Sequence, residues 1–195
     1  MFDTIREAFH HVPHLDLRLD TRNSFISNKA AKIFGIKVGL EFNDIVKTGI
    51  SFNLMLIPFE KAKIVSVNNI IDTVQARLRF AYGSIYFEYV FYHRNNWSLS
   101  IPVQLGFGLA GYTYRLQEEQ QFEPLSPVII YEPAMTGLYK PVSWVGFGIG
   151  FGYRLLPLGN RALDANFNYP VYVLKLVISP SAIYHSILKH NYPKL

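Results

Sequence analysis

The chain has 195 residues, a length that suits one domain. Half of its residues are apolar, 15% are aromatic and only 17% are charged, which excludes a disordered chain, a coiled coil and a collagen-like fibre. With no cysteine there is no disulfide scaffold, thiol nucleophile or thiolate metal site, and a net charge of +5 scattered along the chain points to no nucleic-acid partner.

The first 13 residues read as a separate N-terminal segment, in which Phe2, Ile5, Ala8 and Phe9 are spaced for a short amphipathic helix. Met1-Phe2-Asp3-Thr4 does not open a secretory leader, and a leader already removed leaves no trace, so the start assigns no compartment. His10, His11 and His14 cluster here near Asp16, but Pro13 breaks the spacing a metal site would want, and a solvated segment is the better account.

Period two dominates from residue 14 onward. Leu15, Leu17 and Leu19 alternate with Asp16 and Arg18. Phe34, Ile36, Val38, Leu40 and Phe42 alternate with Gly35, Lys37, Gly39 and Glu41, and Asn43-Asp44 then signals a tight turn. Residues 46–56 continue the alternation, with Lys47, Gly49, Ser51 and Asn53 on the polar side. Side chains in a strand point to opposite faces in turn, so each segment has one oily face and one small or polar face.

Residues 73–92 form a long strand whose apolar parity flips near Gly83-Ser84, which reads as a β-bulge that places Arg77, Arg79, Tyr86 and Glu88 on one side. After a short turn at 93–96, Trp97 opens a strand to about residue 115, and residues 117–132 read as a polar, acidic loop carrying Glu118, Glu119, Glu123 and Glu132. Residues 145–153 alternate large residues with Gly146, Gly148, Gly150 and Gly152. Residues 171–179 form a strand with Lys175 on its polar side; 161–167 read as a short strand or helical turn, and 180–195 as a last strand or a periplasmic helix.

No run approaches the roughly 20 apolar residues of a membrane-spanning helix. The alternation instead predicts an all-β fold: a closed, antiparallel, transmembrane up-and-down β-barrel over residues 14–195, closing best at eight strands. Glycine on the smaller face suits a crowded small-barrel interior and suits a water-facing sheet poorly. The oily face then contacts lipid, whereas a lipocalin-like barrel would place its large residues inside. Short connections at 43–44 and 93–96 alternate with long ones at 58–72 and 117–132, so the N-terminus is expected in the periplasm and the long loops outside. The longest strands should project as a stalk.

The segments 16–26 (DLRLDTRNSFI), 33–41 (IFGIKVGLE), 100–108 (SIPVQLGFG) and 170–174 (PVYVL) resemble small outer-membrane β-barrel proteins of Gram-negative bacteria, among them uncharacterised barrels of Bacteroidota. The resemblance implies a fold and a bacterial outer-membrane location, with outer-membrane lipid and lipopolysaccharide as surroundings and other envelope proteins as candidate partners. It implies no catalytic residues.

The expected polar network of the lumen is Asp16, Arg18, Lys37, Glu41, Lys47, Arg77, Arg79, Glu88, Arg154 and Lys175. An aromatic girdle at the periplasmic end is expected from Phe42, Phe91, Trp97 and Tyr153. Three motifs yield to plainer readings. Residues 106–111 spell G-x-G-x-x-G, but inside an alternating strand, where a dinucleotide cannot meet a helix N-terminus. His185-Ser186 are adjacent and cannot pair as base and nucleophile on a strand or a helix. The acidic loop reads as solvated. No cofactor or metal is expected. The leading reading is a non-enzymatic structural or interaction barrel, possible as a subunit of an envelope complex. A narrow pore for small anions is the first alternative, and a lipid-modifying enzyme is the second.

Overall fold

A computed structural model describes residues 2–26, 29–57, 60–67, 70–116, 119–158, 168–180 and 182–183. A short helix, α1 (Phe2–Ala8), precedes eleven strands: β1 (His14–Ile26), β2 (Lys29–Phe42), β3 (Val46–Ile57), β4 (Glu60–Val67), β5 (Ile70–Arg94), β6 (Trp97–Leu116), β7 (Glu119–Phe122), β8 (Ser126–Val142), β9 (Val145–Tyr153), β10 (Leu155–Leu158) and β11 (Pro170–Ile178).

Eight of these strands pair antiparallel in the order β1, β2, β3, β5, β6, β8, β9, β11, and β11 returns to β1. The sheet is therefore a closed up-and-down barrel without an exposed edge in its ring. The remaining three strands extend it: β4 pairs with the first part of β5, β7 with the end of β6, and β10 with β8. The ring strands are tied at one end by tight turns. Asn43 and Asp44 both adopt positive φ, 49° and 56°, and Ile45 N donates to Phe42 O at 3.0 Å, a tight turn inside a three-residue connection, since Phe42 pairs with Val46. Asn95 does the same at the β5–β6 turn, with φ 53°. α1 lies at this end, where the Phe9 and Phe42 ring centroids are 4.8 Å apart.

Four features differ from expectation. The stretch 58–72 contains β4, which makes a hairpin with β5 instead of an open loop. The stretch 117–132 contains β7 and the start of β8, a ring strand of 17 residues. β8 supplies the eighth strand, so neither uncertain C-terminal segment is needed for closure. Residues 161–167 lie outside the described residues, and Ile183 N donates to Ser179 O at 3.2 Å, a helical turn directly after β11.

The fourth difference is the parity of β5. Its register against β6 runs unbroken from Arg77 to Val90 and shifts only between Val90 and Tyr92. There is no bulge at Gly83-Ser84, and the even-numbered residues from Val74 to Val90 point inward throughout. The sequence pattern reverses because the surroundings change. From Thr73 to Arg79 the outward residues are polar and the inward ones apolar, as in a barrel standing in water. From Ile85 to Phe91 the outward residues are apolar, and Ser84 and Glu88 point inward.

Candidate functional site

Two surfaces follow from this architecture: the interior of the ring and the belt around it. Among the described residues the buried charges are Arg18, Arg22, Lys37, Lys47, Arg154 and Lys175, and Asp16, Asp20, Glu41, Glu88 and Glu132, six basic against five acidic. They come from six of the eight ring strands and the β9–β10 junction, because each strand sends alternate side chains inward.

They form three tiers. Nearest the tight turns, Lys47 Nζ meets Glu41 Oε1 at 3.0 Å, and Lys140 Nζ reaches Glu41 Oε1 at 3.7 Å and Asp44 Oδ1 at 3.8 Å. At the turn itself the Asp44 carboxyl is held below the ordinary aspartate range. Its hydrogen bond with Glu41 is the first cause; partial burial opposes it, and the ammonium groups of Lys140 and Lys47 reinforce it. In the middle tier Arg18 pairs with both Asp16 and Glu88. Lys175 Nζ lies 3.3 Å from Glu88 Oε2 and donates to Thr136 Oγ1 at 3.0 Å, while Ser100 Oγ donates to Glu88 Oε1. In the third tier Arg22 Nε meets Glu132 Oε1 at 2.7 Å and Arg154 Nη2 meets Glu132 Oε2 at 2.6 Å, so one carboxylate joins two guanidiniums. Arg22 also donates to Gln104 Oε1 at 2.9 Å, and Asp20 Oδ2 takes Arg22 at 3.1 Å and Lys37 at 2.9 Å. Burial of these charges is tolerable because each has an opposite charge in reach.

Tyr86 crosses this interior. Its ring carries the Lys37 ammonium at 4.9 Å and the Arg18 guanidinium at 5.5 Å from its centroid, a cation–π arrangement on both. Its hydroxyl lies where a Cβ on Gly39 would stand and near one on Gly49. Glycine at these positions leaves the volume that the tyrosine fills.

Beyond the third tier the interior becomes apolar. Ile33, Ala76, Leu78, Phe80, Tyr82, Ala110, Tyr112, Val128, Ile130 and Leu156 form one buried cluster, with Met55, Tyr114 and Tyr169 packed against it. Among the cavities found within the ring of described residues, the one bounded by Asp20, Arg22, Lys37, Gln104, Glu132 and Lys175 has about 10 Å³, room for about one water. The lumen is thus filled by ion pairs below and by hydrocarbon above.

Of the ten lumen residues expected from sequence, eight are buried inside. Arg77 and Arg79 are not: they point outward from β5 and are exposed, since the parity flip that would have turned them inward does not occur. Arg79 lies over the Phe122 ring at 5.6 Å. Sequence reasoning missed Asp20 and Arg22, which continue the even-numbered inward face of β1. It also missed Glu132, which belongs to β8 and not to a solvated loop. Glu118 lies outside the described residues, as do His185 and Ser186. His10, His11 and His14 are exposed.

The belt is a continuous band of exposed apolar side chains, including Ile36, Ile50, Phe52, Ile85, Leu105, Phe107, Phe147, Ile149, Phe151 and Leu174. Phe42, Phe91 and Trp97 lie beside the tight turns. Tyr153 lies at the opposite end of the ring, paired with Pro170 at the start of β11. The reason is β8: one more strand before β9 reverses the direction in which β9 runs. At the tight-turn end Tyr139 and Trp144 are exposed aromatics too, and the Trp97 and Tyr139 ring centroids lie 4.8 Å apart with the rings tilted by 40°.

No protein family matches the sequence, and no curated protein sequence matches it. Solved structures do match. The N-terminal β-barrel domain of Pseudomonas aeruginosa OprF is 10% identical, with 86% of this chain and 98% of that one covered and a TM-score of 0.52. Neisserial surface protein A is 12% identical over 86% of this chain and 96% of that one, with a TM-score of 0.48. Ail, the attachment invasion locus protein of Yersinia pestis, is 15% identical over 86% and 95%, with a TM-score of 0.47. At such identities the likeness concerns the fold: this chain folds as the small outer-membrane β-barrels do.

Proposed function

We propose that the chain is an integral β-barrel of the bacterial outer membrane with a structural or interaction role, its N-terminus in the periplasm and its strand extensions outside. The observation that carries this reading is the closed ring that wears its large apolar residues outward. Thirty-odd ångströms of hydrocarbon would cover such a belt, whereas water would leave it as an aggregation surface. Phe42, Phe91, Trp97, Tyr139 and Trp144 would sit at the periplasmic interface, where amphipathic rings are favoured. Lipid and lipopolysaccharide would surround the belt, and another envelope protein would dock on α1 or on the strand extensions.

The alternative of an anion-selective pore loses its motivation with Arg77 and Arg79 outside. The buried charges are nearly balanced, and the lumen is closed twice over. Among the described residues, the interior hydroxyls of Ser51, Ser84, Ser100 and Thr136 bond to one another, to Asn53, to Gln104, or to the paired charges Glu88 and Lys175.

A heat-modifiability gel on protein extracted from membranes by detergent tests the reading. The folded barrel should migrate as a compact band that shifts on boiling. Recovery of a freely water-soluble protein with no shift would overturn it. For the interaction role, native electrophoresis of a gentle extract should show a species larger than the barrel alone; a monomer under every mild condition would count against it.

A further inference from the structure

The outward face of β5 reads Arg77, Arg79, Ala81, Gly83 in alternate positions, two guanidiniums above two residues with almost no side chain. Gly83 pairs with Phe52 on one side and with Phe107 on the other, so two phenylalanines wall the slot that it leaves. The slot belongs to an apolar trough of about 780 Å³, whose wall also includes Ile50 and Ile85. A glycine in the middle of a strand weakens it and offers lipid no surface, so this one needs a reason. Packing does not supply it: a Cβ on Gly83 would meet only Ser51 O, at 4.0 Å.

Along a strand the rise from Gly83 to Arg79 is roughly 13 Å. One molecule with a hydrocarbon tail in the trough and an anionic head at the arginines fits that spacing. Guanidinium forks favour phosphate, which accepts charge-assisted hydrogen bonds from them. The reversal of the β5 pattern places Arg79 just beyond the apolar belt, at the depth of lipid headgroups.

We propose that this face binds a phosphorylated membrane lipid, its acyl chain along Ala81 and Gly83 and its phosphate on Arg77 and Arg79. The proposal rests on the membrane-barrel reading above. A phosphate carried only by a soluble molecule would gain nothing from the trough, and a neutral lipid would gain nothing from the arginines.

The test titrates the folded protein, in neutral detergent, with phosphatidic acid or with phosphatidylcholine of the same chains, and counts bound lipids by native mass spectrometry. Wild type should half-saturate with phosphatidic acid at a concentration about tenfold lower. R77Q/R79Q should bring the two lipids level, and G83F should weaken both several-fold by filling the slot. R94Q, an exposed arginine at the tight-turn end, should leave the preference intact. Equal binding of the two lipids by wild type, an undiminished preference in R77Q/R79Q, unchanged binding in G83F, or the same loss in R94Q would each overturn the proposal. A heat-modifiability gel on every variant reports the barrel separately, so loss of the site and loss of the membrane fold are told apart.

Discussion

Glu132 holds two buried arginines with one carboxylate, which makes the lumen sensitive to a single substitution there. Glu132→Gln keeps the shape but leaves Arg22 and Arg154 without their shared anion, and breaking a buried pair from one side costs about 3–5 kcal/mol. Arg79→Gln removes a charge of the same kind from the outer surface and loses a cation–π contact worth about 0.5–1 kcal/mol. Urea unfolding in lipid vesicles should therefore separate the two by several kcal/mol. Equal midpoints would mean that the network contributes nothing to stability. The glycines divide in the same manner. An alanine at Gly39 would place its Cβ against the Tyr86 hydroxyl and the Thr48 carbonyl, and overpacking of this kind costs about 1–3 kcal/mol. An alanine at Gly83 has room, and the same unfolding assay should find it neutral or slightly stabilising.

β5 shows how one strand passes through two solvents without changing its phase. Cysteine labelling reads this directly, because the chain has no cysteine of its own. Single cysteines at Arg77 and Arg79 should react with a membrane-impermeant thiol reagent, and those at Ala76, Leu78 and Phe80 should be protected in the folded barrel. Labelling of the even set would restore the bulge and turn the arginines inward. The same strand explains what the sequence made legible. Alternation identified the barrel, the outward belt and most of the inward charges, because in those stretches one face meets lipid and the other meets a polar lumen. It misled at 73–79, where the outside is water and the inside hydrocarbon, so an expectation of a polar lumen inverted the assignment. It also passed over β8, in which Pro127, Pro133 and Glu132 break the apolar rhythm although Val128, Ile130, Thr136 and Leu138 still face inward. Missing that strand ran β9 the wrong way and placed Tyr153 at the wrong end of the girdle. Pairing partners carry this information, and periodicity within one segment does not.

For the whole molecule the decisive property is that two unlike fillings close one barrel. An eight-stranded barrel is just wide enough for its side chains to fill it. Here ion pairs fill the part near the tight turns, and the cluster around Leu78, Phe80 and Tyr82 fills the rest. Each closure would suffice alone. An ion entering from the tight-turn end would have to part Arg18 from Glu88 and Arg22 from Glu132, then shed its water in hydrocarbon, and the second step costs an uncompensated charge far more than thermal energy. Purified protein in a planar bilayer at high salt should therefore show no discrete current steps. Loosening only one filling should not change that: Glu88→Ala takes the anion from Lys175 and one of two from Arg18 but leaves the apolar cluster, and Phe80→Ala thins the cluster but leaves the ion pairs. A double variant that loosens both is the one expected to leak. Steady single-channel steps from the wild type would show that the two fillings move aside together, and the protein would then have to be treated as a gated conduit.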